Sequence, residues 1–415
     1  MIRYSLTLLL FATIVHSEIN NVCRNYIDYF TIQTNPNCWY DVAADKNAPG
    51  IITSYGYAVE THKVTGSDGY VSTLFRIINN NGAGRNVPVL LQHGLIASGA
   101  SFVAIGNKSL GFLLADAGYD VWLGNMRGNQ YSEEHLNLSS DNIKYWNYNI
   151  DDITFKDLPN QLKYILQKNS QNGKIIYIGH SLGCATALSF GSSYPKEVEK
   201  FVKLFILMAP DGGVTHTKSI LLRVITPFMG TVVKLFINTE IAKSLSYHST
   251  VNELIRSLCR QNPIFMSLCS NILNFLFTGP QYEMDASISP VVFNQLPDGT
   301  SLPVLKQATD HVRLGLSAYD YGLQNVAKYG SLQPPLYNVT KIEVPIFIAY
   351  SVGDWAVTEK DSENLYNRLS PQAKIYGKHK IEAKGFNHND FLYAKTAKTL
   401  VYDKIVQLME SVRGV

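Results

Sequence analysis

The pentapeptide Gly179-His180-Ser181-Leu182-Gly183 places the tightest constraint on how this chain can fold. The strand-like run Lys174–Ile178 precedes it, and an apolar helical pattern, Ala185–Ser193, follows it. A serine between glycines at such a junction fits a sharp strand-to-helix turn. There the glycines let two backbones approach closely and the hydroxyl stands exposed at the helix N-terminus. The partial positive charge of that terminus favours negative charge developing nearby. In a chain of ordinary glycine and serine content G-x-S-x-G arises by chance roughly 0.1–0.2 times, so the flanking strand and helix carry the reading. The alternative is an ordinary glycine-flanked turn.

Further apolar runs of strand length end in polar or glycine-rich turns. Val87–Gln92 leads into His93-Gly94, Tyr119–Leu123 into Gly124-Asn125, and Phe201–Met208 into Ala209-Pro210. Pro345–Tyr350 leads into Val352-Gly353-Asp354, and Ile375–Ala383 into Phe386-Asn387-His388. Uninterrupted apolar strands are those covered on both faces. Helical patterns such as Leu158–Lys168 fill the gaps, and 79–84 reads as a turn-forming loop. The pattern predicts an α/β fold: a mostly parallel, doubly wound sheet with helices on both faces. Its ligand site should lie beyond the carboxyl ends of the strands. The chain's 415 residues, 46% of them hydrophobic and 17% charged, allow a large core and exclude a disordered or collagen-like chain. A net charge of only +3 gives no case for nucleic acid as a partner.

The alternation stops between residues 220 and 315. Ile220–Ile237 and Ile264–Phe277 are apolar and helix-like, but Arg223, Pro227 and Lys234 interrupt the first and the second is too short to span a bilayer. No transmembrane segment is expected in the mature chain. The expected organisation is a signal peptide over 1–17, a core over 18–219 and 316–415, and a cap or lid inserted over 220–315. Met1–Ser17 carries Arg3, the apolar run Leu6–Val15 and a tolerated cleavage sequence, Val15-His16-Ser17, so the mature chain should start near Glu18. A retained membrane anchor is the alternative. Asn107, Asn137 and Asn338 head glycosylation sequons. Of the five cysteines, Cys23 with Cys38 and Cys259 with Cys269 are near enough in sequence for local pairing in an oxidising compartment, which leaves Cys184 as a buried free thiol. With no CxxC, no HExxH and no Cys/His cluster of zinc spacing, neither metal nor organic cofactor is expected.

A serine nucleophile needs a base, and the base needs an orienting carboxylate. On an α/β-hydrolase fold these follow in the order Ser, Asp or Glu, His. Asp354 and His388 stand after strand-like runs in that order, and with Ser181 they form the expected triad. Asp211 also follows a strand and is the alternative acid. Asp320, Asp390, His311 and His379 are read as solvent-facing or structural, and His62 and His135 precede any site. The oxyanion hole needs two backbone N–H donors, expected from Leu182 and Leu95. His93 is read as a structural hydrogen-bonder.

These residues sit within longer stretches that resemble the animal acid lipases, the group of gastric and lysosomal acid lipase. The stretches are Tyr55-Gly-Tyr57 with Asp68-Gly-Tyr70, Leu91-Gln-His-Gly-Leu-Ile-Ala-Ser98, and Leu114-Ala-Asp-Ala-Gly-Tyr-Asp-Val-Trp-Leu-Gly-Asn125. Further ones are Arg127-Gly-Asn129, Ala318-Tyr-Asp-Tyr-Gly322, Pro334-Pro-Leu-Tyr-Asn-Val-Thr340, and Asn387-His388 with Asp390-Phe391. The resemblance implies an α/β-hydrolase fold, a triad on Ser181, Asp354 and His388, an oxyanion hole at Leu95 and Leu182, and a lid. Leu182 departs from the family's usual glutamine, the lid cysteines are spaced one residue wider, and the segment with Cys23 and Cys38 is more like insect members. The expected function is a secreted or lysosomal serine lipase. It would hydrolyse neutral-lipid esters, triacylglycerols or sterol esters, through an acyl-enzyme at a lipid interface. The alternatives are a carboxylesterase of soluble short-chain esters, a catalytically silent lipid-binding protein, and a serine peptidase.

Overall fold

The computed structural model describes residues 19–78, 87–169 and 173–412. The expected signal peptide, the mature start near Glu18 and the 79–84 loop lie outside them. Two short strands, β1 (Val22–Cys23) and β2 (Cys38–Trp39), pair as a separate antiparallel ribbon. The main sheet is built from β3 (Ala58–Thr65), β4 (Tyr70–Ile78), β5 (Pro88–Gln92), β6 (Asp120–Gly124), β7 (Glu134–His135), β8 (Ile175–His180), β9 (Val202–Met208), β10 (Ile346–Ser351) and β11 (Lys378–Ile381). Its order is β11-β10-β9-β8-β5-β6-β4-β3, with β7 beside β4. From β6 to β11 every neighbouring pair along this order is parallel, while β4 and β3 add an antiparallel edge. The chain winds one way from β5 to β6 and the other way from β8 outward. The crevice where the order reverses therefore opens between the carboxyl ends of β5 and β8.

The central strands are apolar because both faces are covered: β5, β6, β8 and β10 are buried along their whole length. Alternate side chains feed two cores. Val89, Leu91, Ile176, Ile178 and Ile206 enter one, and Leu90, Trp122, Tyr177, Phe205 and Ile348 enter the other. Both outer strands differ from the sequence reading. No strand was expected before Val87: β3 is an edge strand with an exposed polar side and carries no apolar run, and in β4 Ser72, Thr73 and Arg76 interrupt the apolar run although most of the strand is buried. β11 is shorter than the expected Ile375–Ala383, because Gly377 turns at φ 73° ahead of it and Lys378 stands exposed.

Ion pairing fixes one corner of the sheet. The guanidinium of Arg127, fully buried, donates to both Asp157 oxygens at 2.7 and 2.6 Å and to both Asp68 oxygens at 2.9 Å. It also lies 3.9 Å over the Tyr70 ring. Two of the family-like stretches, Asp68-Gly-Tyr70 and Arg127-Gly-Asn129, thus meet through one side chain. Planar bidentate pairing is a geometry that arginine supplies and lysine does not.

Between β9 and β10 the described residues add no strand. They form helices Ile220–Phe236, Thr250–Gln261, Pro263–Leu268, Asn274–Thr278, Ser289–Gln295 and Leu302–Leu314. The run Ile264–Phe277 is helical throughout, as expected, with one wider turn at Cys269–Leu273 inside it. Cys23–Cys38 and Cys259–Cys269 form disulfides, and Cys184 is buried and free. The N-terminal disulfide segment packs on this stretch: Cys23, Tyr29 and Cys38 share a small core with Met266 and Ala286. Among the described residues no helix is long and apolar enough to cross a membrane.

Removing Arg127 leaves two carboxylates facing each other, one of them fully buried. Arg127→Ala is expected to destabilise the fold by about 3–5 kcal/mol, read as a lower denaturant midpoint, and Arg127→Lys should recover only part of the loss.

Candidate active site

Ser181 follows β8 directly and sits at the N-cap of the helix Leu182–Ser193. Its φ of 55° puts a non-glycine residue in the left-handed region, a strain of about 1–3 kcal/mol. Hydrogen bonds hold it there. Ser181 N–H donates to the Met208 carbonyl at 3.1 Å, and its own carbonyl accepts from Cys184 at 2.9 Å and Asp211 at 3.3 Å. The side chain is carried at the helix N-terminus, facing the crevice beside β5.

His388 and Asp354 come together although 34 residues apart. The His388 Nδ1–H donates to Asp354 Oδ2 at 2.8 Å, and Asp354 Oδ1 accepts from the Val357 N–H at 2.9 Å. Both side chains are buried. This bond fixes the tautomer and leaves His388 Nε2 with its lone pair. The residue before the serine ties the two halves together: His180 Nε2–H donates to the His388 carbonyl at 3.0 Å, and the two rings lie 4.8 Å apart. Burial pushes the His180 pKa well down, and the neighbouring His388 adds to the shift. A neutral His180 places no second positive charge beside His388. The sequence reading missed this contact, because nothing at the variable position of G-x-S marks it.

The loop after β5 lies against the elbow. A Cβ on Gly94 would come within 3.0 Å of the Ser181 Cβ. Among the described residues no partner takes up the backbone N–H of Leu95 or Leu182. His93 is structural as expected: its Nδ1–H donates to the Gly94 carbonyl at 2.8 Å, and its Nε2 accepts from the Met126 N–H at 3.0 Å and Asn129 Nδ2 at 3.2 Å. Burial drives its pKa down to about 4. The cavity lined by Leu95, Leu182, Met126, Thr300 and Val304 has a volume of about 10 Å³, room for one water. Phe277 stands edge-on, 6.3 Å from the His388 ring. The pocket beside Leu95 and Leu182 is thus narrow, Ser181 itself is half-buried, and Phe277, Thr300 and Val304 bring the 220–315 stretch against the site.

The alternative acid finds a different partner. Asp211 Oδ2 accepts from buried His311 Nδ1 at 2.8 Å, so two residues weighed separately form a second His–Asp pair beneath the elbow. Burial opposes charge on His311, and the Asp211 carboxylate outweighs it, holding the pKa above its ordinary value. His379 donates to the Leu400 carbonyl at 2.7 Å, and Asp320 accepts from Asn325 at 2.7 Å and Gly322 at 2.9 Å. Asp390 accepts from the Asn387 N–H at 2.6 Å, shaping the turn that carries His388. The three sequon asparagines, Asn107, Asn137 and Asn338, are all exposed. Among the described residues no cluster of His, Cys, Asp or Glu is arranged to hold a metal ion.

A family model described as an alpha/beta hydrolase fold matches residues 87–248, and one described as a partial alpha/beta-hydrolase lipase region matches residues 48–106. Lipase member K of Homo sapiens is 36% identical over 88% of this chain and 91% of its own length. The gastric triacylglycerol lipase of Bos taurus is 35% identical over 88% and 91%. Lipase 1 of Drosophila melanogaster is 34% identical over 87% of this chain and 79% of its own. The chain belongs to the animal acid lipases. It is a carboxylic ester hydrolase, a lipase on the α/β-hydrolase fold. Within this lipase the departure at Leu182 changes only a buried side chain, and the backbone N–H at that position is retained.

Among the described residues five carboxyl groups that are buried or half-buried, Glu133, Asp151, Asp157, Asp298 and Asp390, have raised pKa values, each mainly through burial. Asp298 is pushed up to about 6, and Glu133 and Asp390 to about 7. Between about pH 4 and pH 7 these carboxyl groups hold protons in the folded lipase that the unfolded chain has released, so the stability they contribute falls as pH rises, while the buried neutral His93 and His180 act in the opposite sense. Asp390→Asn removes one such carboxyl, so its melting temperature relative to wild type should rise from the acidic end to neutral pH. A difference that stays constant across that window would contradict this assignment.

Proposed function

We propose that this lipase hydrolyses esters of neutral lipids, triacylglycerols or sterol esters, through an acyl-enzyme on Ser181. His388 Nε2 takes the Ser181 proton as the hydroxyl oxygen attacks the ester carbonyl. The N–H groups of Leu95 and Leu182 hold the oxyanion. His388 then protonates the departing alcohol, and in the second half-reaction it activates the water that releases the fatty acid. Asp354 keeps the imidazole in the working tautomer and stabilises its cationic form. The bond from His388 to Asp354 at 2.8 Å, set beside a strained serine elbow, is the observation that carries this reading.

The substrate class rests on the cover. Residues 220–315 act as a lid: Phe277 stands edge-on to the His388 ring, and Thr300 and Val304 line the pocket beside Leu95 and Leu182, which at about 10 Å³ has no room for an acyl chain. The same stretch exposes Leu221, Phe228, Leu235, Leu254, Ile264 and Ile272. Apolar surface of that extent suits a lipid interface. A relative named for triacylglycerol, at 35% identity, supports the same substrate. The N-terminal segment, the three exposed sequons and the two disulfides favour the secretory route, to the cell exterior or the lysosome.

Secreted wild type and Ser181→Ala should be compared on emulsified triolein, cholesteryl oleate and a soluble short-chain ester. Wild type should cleave the emulsions, and the variant should lose several orders of magnitude. Asp354→Asn should lower kcat about 10⁴-fold by favouring the wrong tautomer. Cleavage of the soluble ester alone would overturn the lid reading, and folded wild type without any esterase activity would overturn the mechanism.

A further inference from the structure

We propose that Asp298, carried on the 220–315 insertion, positions the oxyanion-hole loop for the chemical step. This rests on the reading of Leu95 N–H as an oxyanion donor. Asp298 touches no substrate. It acts through the loop that holds Leu95.

The geometry is specific to that loop. The Asp298 N–H donates to the Ile96 carbonyl at 2.9 Å. Ile96 is β-branched yet sits at φ 51°, a conformation that persists only when its surroundings hold it. The Asp298 carboxylate, itself 1% exposed, grips the neighbouring turn. Its Oδ1 accepts the Gln130 N–H at 2.7 Å and the Gly299 N–H at 2.6 Å, and its Oδ2 accepts Gln130 Nε2 at 2.9 Å. Gly299 seats the strap against that turn: a Cβ there would lie 1.9 Å from the Gly128 carbonyl oxygen. The same turn holds the other end of the loop, through Met126 and Asn129 on His93. The loop is thus gripped at His93 by the core and at Ile96 by the insertion, with Leu95 between.

A buried carboxylate without a cationic partner is a costly way to brace a turn. The hydrogen bonds that Asp298 accepts come from amide groups rather than from a lysine or arginine. Arg256, on the insertion helix Thr250–Gln261, donates instead to the Pro297 carbonyl at 3.1 Å and the Tyr247 carbonyl at 2.7 Å. That arrangement links an insertion helix, through the strap, to the donor loop. An oxyanion donor works only within a few tenths of an ångström of its proper place, and it acts on the transition state rather than on bound substrate.

The test uses the full chain and a soluble short-chain ester at neutral pH, so that interfacial binding does not enter. Wild type, Asp298→Asn, Asp298→Ala and Gln130→Ala are compared for kcat, KM, melting temperature and affinity for an alkyl boronic acid that forms a tetrahedral adduct on serine. Asp298→Ala should lower kcat about 10²-fold, near the effect of losing one oxyanion donor. KM should change less than about twofold, and boronate affinity should fall in parallel with kcat/KM. Asp298→Asn and Gln130→Ala should lie between, and they keep the test decisive where the alanine variant at 298 fails to fold. A lower melting temperature with kcat and boronate affinity unchanged would overturn the proposal, as would a change confined to KM. Ser181→Ala separates the two failures: an active Ser181→Ala overturns the site reading itself, whereas an inactive one with unaffected Asp298 variants overturns only the role of Asp298.

Discussion

The whole site hangs on one backbone contact, the meeting of the Ser181 turn with the end of β5. A Cβ on Gly183 would lie 2.4 Å from the Gln92 carbonyl oxygen, and one on Gly179 would lie 2.9 Å from the Gly183 backbone. Only glycine at both places lets β8 turn into its helix so abruptly. The turn forces Ser181 into its left-handed conformation and lifts it above the sheet. It also sets the loop carrying Leu95 directly alongside. Parallel strands packed on both faces make the platform rigid enough to hold that strain.

Around this contact the remaining groups arrive from far apart in the chain. Asp354 follows β10, and His388 follows β11. His180 fastens the His388 backbone to the elbow itself. The insertion reaches both ends of the site, with Phe277 against His388 and Asp298 against Ile96. It is therefore bonded to the machinery it covers. A lid that only shielded the serine would need no such bonds.

Much of the site was legible in the sequence, because parallel strands buried on both faces read as uninterrupted apolar runs and their polar ends mark the catalytic rim. Ser181 and Asp354 each follow such a run, and His388 follows the mixed edge strand β11. β3 was not legible, since an edge strand with a solvated side has no such run. The extent of β11 was overestimated, as Gly377 turns the chain and Lys378 stands exposed. The run Ile264–Phe277 is helical as it reads, but no local propensity marked the wider turn at Cys269–Leu273 inside it. Asp211 and His311 each had the chemistry of a triad member. Only their three-dimensional pairing with each other assigns them elsewhere.

The sequence by itself determined the glycine-flanked serine turn, the strand ends that carry the candidate site residues, and the family. These depend on local patterns: glycine spacing, apolar runs and long motifs. Tertiary structure alone decided which carboxylate meets which imidazole. It alone decided that the Asp298 N–H, far along the chain from Ile96, meets the Ile96 carbonyl. Hydrogen bonds between distant residues depend on how the chain crosses over itself, and that crossing leaves no periodic trace in the residues it joins.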